Sequence, residues 1–194
     1  MAKPDPSSSK KEKMKNIKWV ITIFLVTIVV SGTISMGSDA LMSVSGIAVA
    51  FLILFLIILV GILFDIIGVA VTSADEKPFH SMAARKVPGA QEAIALLRKA
   101  DRVGSICNDV VGDICGVVSG SASATITALV IASSQAAHPQ AISLLMSALV
   151  AGLTVGGKAL GKGFAINSCT SIVYTVGRII YGFKRLPRLL SKKK

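Results

Sequence analysis

Aromatic residues, acids and cysteine are all scarce in this chain. Aromatics make up 5% of its 194 residues, and few of them interleave with the basic clusters, so the net charge of +11 does not describe a nucleic-acid surface. Three cysteines, Cys107, Cys115 and Cys169, form no CxxC pair and no zinc spacing, and they read as small packing residues in apolar or juxtamembrane surroundings. Ser, Cys and His are scattered, with no nucleophile, base and orienting group together. Neither a phosphate-cradling loop nor a zinc motif is present, so the pattern argues against an enzyme. Lysine and arginine are missing from most of the chain as well, being confined to residues 3–18, 77–102 and 158–194.

What fills the rest is apolar. The composition is 53% hydrophobic and the mean hydropathy is +0.72, more than a soluble domain of this size hides in one core. Residues 19–37, 44–74, 107–133 and 141–163 are each long enough to cross about 30 Å of hydrocarbon at 1.5 Å per residue. The expected fold is an all-α integral membrane protein with four transmembrane helices. Retention of Lys and Arg on the inner side puts both termini and the central loop in the cytoplasm, with 37–42 and 133–140 outside, in the inner or plasma membrane of the cell. The cations then serve topology first and attraction to anionic lipid second, with no nucleic acid as partner. Ser38-Asp39-Ala40 also resembles a signal cleavage site, and cleavage there would leave the downstream orientation unchanged. The tail 1–18, rich in Pro, Ser and Lys, is expected to be disordered, and 187–194 to be a basic tail.

Inside this frame a few residues stand out. Asp65 interrupts the second stretch, where an ionised carboxylate costs roughly 2.5–3.5 kcal/mol unless it faces protein, water or a cation. Hydrogen bonding to a neighbouring helix, or hydration near the interface, is the simpler reading. Pro88-Gly89 divides the loop 75–104 into two helical patterns, the second with Ala93, Ile94 and Leu97 on one side, which predicts a cytoplasmic helix hairpin along the inner membrane surface. His80 in this loop reads as solvated. Gly112, Gly116 and Gly120 recur every four residues in the third stretch, and Gly152 and Gly156 repeat the device in the fourth, predicting close helix packing within the chain or in a homodimer. Asn108, Asp109 and Asp113 precede the first of these faces. Asp109 and Asp113 share a helix side and repel, so they suit a hard cation such as Mg²⁺ or, more simply, a solvated helix start. Lys158 and Lys162 are placed to snorkel or to pair with Asp65, Asp109 or Asp113. Residues 164–186 form an amphipathic pattern with Ile172, Val176 and Phe183 on one stripe and Ser168, Ser171, Thr175 and Arg178 on another, predicting a juxtamembrane helix ended by Pro187.

The order of these parts over 44–186 resembles the transmembrane domain of the CorB/CorC and cyclin M magnesium and cobalt transporters, without their cytoplasmic regulatory domains. Cys107-Asn108-Asp109-Val110-Val111 is similar to that family's Gly-Asn-Asn-Leu-Val, and Gly157-Lys158-Ala159-Leu160-Gly161-Lys162 to its Gly-Glu-Ile-x-Pro-Lys. The resemblance implies a transported ion, Mg²⁺ or else Co²⁺ or Mn²⁺, with no tightly bound cofactor. It places Asp65 near a first-helix serine, Gly68 at a first-helix glutamate and Asn108 at the first asparagine. It makes Asp65, Asn108, Asp109 and Asp113 the cation path, with Ser119 and Ser123 as weaker ligands, in a dimer joined through the glycine faces. Lys158 stands where the family has glutamate and Gly161 where it has proline, and 19–37 is an extra helix. A cation in place of a carboxylate opposes Mg²⁺ at close range. The alternative is therefore a non-transporting relative, a membrane scaffold or partner subunit in which Lys158 neutralises the site.

Overall fold

Hydrocarbon offers the backbone no water to bond to, so a spanning segment must satisfy its own N–H and C=O groups, and this chain does so as helix. The computed structural model describes residues 6–44, 46–134 and 138–191. Among them run α1 (Pro6–Val44), α2 (Ile47–Ser73), α3 (Lys77–Ala84), α4 (Ala90–Leu97), α5 (Ala100–Ser105), a π-helical segment (Ile106–Gly112), α6 (Asp113–Ser134), α7 (Pro139–Asn167) and α8 (Cys169–Ser191), with no strand. Four stretches are long and apolar enough to cross a membrane: Ile17–Ser38, Ile47–Ser73, Ala100–Ser133 and Pro139–Asn167. The chain is an all-α, multi-pass membrane protein. Its outer surface fits that solvent, with Leu160 81% and Leu144 74% exposed.

The most apolar helix, α2, is the spine. Ala50, Leu54 and Ile58, four residues apart, share one side and pack with Ala122 and Ile126 of α6 and Val150 of α7. Further along, Ala70 and Val71 meet Phe79 of α3, Ala93 and Leu97 of α4, Ala165 of α7 and Val173 of α8. Lipid is as apolar as leucine, so what holds such helices together is close approach rather than the hydrophobic effect. Gly61 supplies one approach: a Cβ there would sit 2.8 Å from the Cβ of Cys115. Gly161 supplies another, with Ile66 Cγ1 2.8 Å from its virtual Cβ, and Gly157 receives Ile62 in the same way.

Within the chain, the close contacts fall on other glycines than the expected faces. A Cβ on Gly116, Gly120, Gly152 or Gly156 would meet nothing within 4 Å, and one on Gly112 would meet the Cys107 carbonyl of its own segment, Lys158 Nζ and Asp65 Oδ1 rather than the backbone of a second helix. The close face of α7 is Gly157 and Gly161, one residue over from the expected Gly152 and Gly156, because Ile62 and Ile66 of α2 project there.

Helix ends also differ. Residues 6–18, expected to be disordered, continue α1, since extending a formed helix costs far less than starting one. α1 likewise runs through 37–42, expected as an outer loop. Residues 1–5, 45, 135–137 and 192–194 lie outside the described residues. The break expected at 164 falls at Ser168, where φ −115 and ψ 19 leave the helical region while its N–H still donates to Phe164 O at 3.0 Å. α8 continues through Pro187 to Ser191, past the stop expected at that proline.

α1 rests on α6, where Ile23 packs against Val110, Ile114 and Val118. The Arg102 guanidinium lies 5.5 Å over the Trp19 ring and ties α1 to α5. α8 lies against α4 and α2, and Lys184 Nζ reaches Glu92 Oε1 at 3.7 Å. Gly89 turns the chain into α4 at φ 91, a conformation that glycine adopts freely. A Cβ on Gly177 of α8 would lie 2.6 Å from Gly89 O and 3.0 Å from Ala93 N. Gly177→Val should therefore cost roughly 1–3 kcal/mol and lower the melting temperature in detergent. Gly163→Ala, with nothing within 4 Å, should be neutral or stabilising; equal losses in the two variants would contradict this packing.

Candidate functional site

Polar side chains come together where α2, the π-helical segment and α7 meet. Gly112 closes the π-helical segment, and its missing side chain opens a gap into which two opposite charges reach. Lys158 of α7 and Asp65 of α2 approach it from different helices: a Cβ on Gly112 would lie 3.4 Å from Lys158 Nζ and 3.9 Å from Asp65 Oδ1. Lys158 Nζ donates to Gly112 O at 3.4 Å. Both side chains are half-buried. Among the described residues the lysine and arginine ion pairs are Lys77–Asp75 and Lys184–Glu92, so Asp65 and Lys158 share the gap without direct pairing.

The placement of Lys158 follows from the packing of α7. Gly157 and Gly161 seat Ile62 and Ile66, and this fixes the rotation of α7 so that the intervening Lys158 turns toward the π-helical segment. Lys162, one turn on, is exposed and stands apart from the site. A widened turn at 106–112 suits its sequence, since Val110, Val111 and Gly112 are all weak helix formers.

Asn108 forms the second half of the site. Its carboxamide lies over Gly68 of α2, so closely that a Cβ on Gly68 would overlap it, with Asn108 Cγ 2.7 Å away. Gly68 is thus the space in α2 that Asn108 fills. The Asn108 Oδ1 atom is buried and has no hydrogen-bond partner among the described residues. A carbonyl oxygen in this state costs about 1–3 kcal/mol unless a donor or cation supplies what the protein does not.

The remaining candidates divide. Asp109 and Asp113 are exposed, and among the described residues no three His, Cys, Asp or Glu side chains gather to hold a metal. The three aspartates therefore do not converge: the π-helical segment directs Asn108 toward α2 and leaves its acidic neighbours on the outer side. Ser119 and Ser123 are buried in α6, about 10 and 16 Å along the helix from Gly112. Ser119 Oγ donates to Gly116 O at 2.9 Å, whereas Ser123 Oγ is buried without a hydrogen-bond partner among the described residues. With Thr127, whose Oγ1 donates to Ser123 O at 2.7 Å, they form a file of hydroxyls leading inward. His80 pairs locally, with Nε2 3.2 Å from Glu76 Oε2. Cys107 is buried and all three thiols are free.

The chemistry available is oxygen donation from one carboxylate, one carboxamide and the carbonyls of a loosened helix, beside one tethered ammonium. Sequence reasoning reached Asp65, Asn108 and Lys158 individually. It missed that Gly68 and Gly112 make their convergence possible, and the signal was the pair of glycines facing polar residues across two helices. Gly68→Ala should displace the Asn108 carboxamide and destabilise by roughly 1–3 kcal/mol. Adding Asn108→Ala should restore much of that loss, since the new methyl enters vacated volume; strictly additive melting shifts would refute the contact. No family model, curated protein or solved structure matches the chain.

Proposed function

We propose that the protein binds a hard divalent cation, Mg²⁺ or Co²⁺, at the junction of α2, the π-helical segment and α7, and transports it in the manner of the CorB/CorC and cyclin M proteins it resembles. The observation carrying this reading is Asn108 Oδ1, buried over Gly68 and without a hydrogen-bond partner among the described residues, with the Asp65 carboxylate one helical turn before Gly68 on α2. Oxygen ligands of this kind select hard cations. In this reading both termini are cytoplasmic, α3 and α4 form the cytoplasmic hairpin, and α8 lies at the inner surface of the cell membrane. The unoccupied glycine face at Gly116, Gly120, Gly152 and Gly156 joins two copies.

Lys158 decides how such a site works. At about 4 Å and an effective dielectric of 20, a divalent ion and an ammonium repel by roughly 8 kcal/mol, so the two cannot share the gap. The lysine is then a tethered competitor that withdraws along its flexible stem when the ion arrives. The same observation favours a second reading, in which Lys158 holds the site permanently and the protein is a non-transporting scaffold or partner subunit.

Melting of the purified protein in detergent across Mg²⁺, Mn²⁺ and Co²⁺ distinguishes them, because a ligand at one hundred times its dissociation constant stabilises by about 2.7 kcal/mol. A saturable shift should appear in the parent, vanish in Asp65→Asn and move to at least about tenfold lower concentration in Lys158→Met. A shift present only in Lys158→Met or Lys158→Glu supports the scaffold. No shift in any variant removes the cation reading altogether.

A further inference from the structure

A groove of about 500 Å³ runs between α2, the end of α7 and α8. That volume falls in the roughly 300–1,000 Å³ range of small-molecule sites. Leu63, Ile66 and Ile67 of α2 and Phe164 of α7 form its apolar wall, and Ile172, Val176 and Ile179 of α8 continue it. It opens outward, with Leu63 49%, Phe164 59% and Ile179 53% exposed. Because α2 and α7 are membrane-spanning stretches, what reaches this opening is lipid.

One edge of the groove is polar. Ser168, Ser171 and Thr175 line it. Thr175 Oγ1 is committed to Ser171 O at 2.8 Å, whereas the Ser168 and Ser171 hydroxyls make no hydrogen bond among the described residues. Arg178 follows Ser171 and Thr175 at helical spacing on the same side of α8, is exposed, and enters no ion pair among the described residues. Glu92 on the neighbouring α4 is engaged by Lys184 at 3.7 Å and does not offset Arg178. The last acidic residue in the sequence is Asp113, so α7 and α8 carry cations only. A second groove, about 240 Å³ between α1, α2 and α6, is lined by Ile34, Val60, Ile114 and similar residues and has neither hydroxyl nor cation at its edge. Nothing in that lining would favour one headgroup over another, which sets the α8 groove apart.

We propose that the α8 groove holds one anionic glycerophospholipid, its acyl chain against Leu63, Ile66 and Phe164, its phosphate at Ser171 and Arg178 and its glycerol backbone beside Ser168. The apolar wall supplies depth, and the hydroxyls with the guanidinium select negative charge. The bound lipid bridges α2 and α8, and the site does not depend on the cation reading.

Native mass spectrometry of the full chain in detergent, titrated with dioleoyl phosphatidylglycerol or dioleoyl phosphatidylcholine, tests it. One saturable phosphatidylglycerol per chain is expected, preferred over phosphatidylcholine. Arg178→Gln should weaken it about fivefold, the contribution of one basic residue near an anionic lipid. Ser171→Trp and, independently, Thr175→Trp fill the groove from an exposed position and should abolish the selective site. Glycerol phosphate without acyl chains should not displace the lipid. Equal retention of the two phospholipids, selective binding that survives either tryptophan, or displacement by glycerol phosphate would each overturn the proposal. Should both tryptophan variants misfold, Arg178→Gln and the headgroup comparison decide it.

Discussion

Asp65 and Lys158 must be kept inside an apolar bundle without either standing alone, and the rest of the structure is arranged around that requirement. A charge at the centre of a membrane helix costs roughly 2.5–3.5 kcal/mol. A carboxylate and an ammonium that approach the same glycine, Gly112, are close enough for opposite charge to offset part of this cost. The requirement fixes the rotation of α7 relative to α2, and Ile62 and Ile66, seated on Gly157 and Gly161, enforce it mechanically. Packing and electrostatics thus specify the same register, which is the consistency expected of a well-determined fold.

The π-helical segment is where that register meets chemistry. A widened turn weakens the backbone ladder and leaves carbonyls available to other donors, and Lys158 takes the one on Gly112 at 3.4 Å. The same turn swings Asn108 onto Gly68, burying a carboxamide oxygen without a partner. The result is a polar junction in which the Asp65 carboxylate and the Lys158 ammonium face the same glycine. Inward from it runs the hydroxyl file of α6, with Ser119 and Ser123 both buried.

The class of the fold was legible because hydrophobicity and charge placement act over whole helices. Four spans followed from runs of apolar residues bounded by cations, and the structure carries four such helices. Helix ends were less legible, because hydropathy marks the hydrocarbon thickness rather than the end of the hydrogen-bond ladder; α1 passes both of its expected limits. Glycine periodicity identified close packing but not its register. Gly152, Gly156, Gly157 and Gly161 all satisfy a four-residue pattern with a neighbour, and only the position of Ile62 and Ile66 selects the last two. In the site, Asp65 and Asn108 were legible as polar residues out of place in apolar surroundings. Asp109 and Asp113 matched the same composition but are exposed, and composition alone does not say which side of the helix turns outward.

The central claim is that Asp65 and Lys158 are energetically coupled through the gap at Gly112. A double-mutant cycle on unfolding in metal-free detergent, with Asp65→Asn, Lys158→Met and the pair together, measures that coupling directly. The account predicts that each single change leaves the other charge uncompensated, and that the double variant recovers at least about 1 kcal/mol relative to the sum. Additive single effects would contradict it, leaving the two charges as neighbours without a shared role.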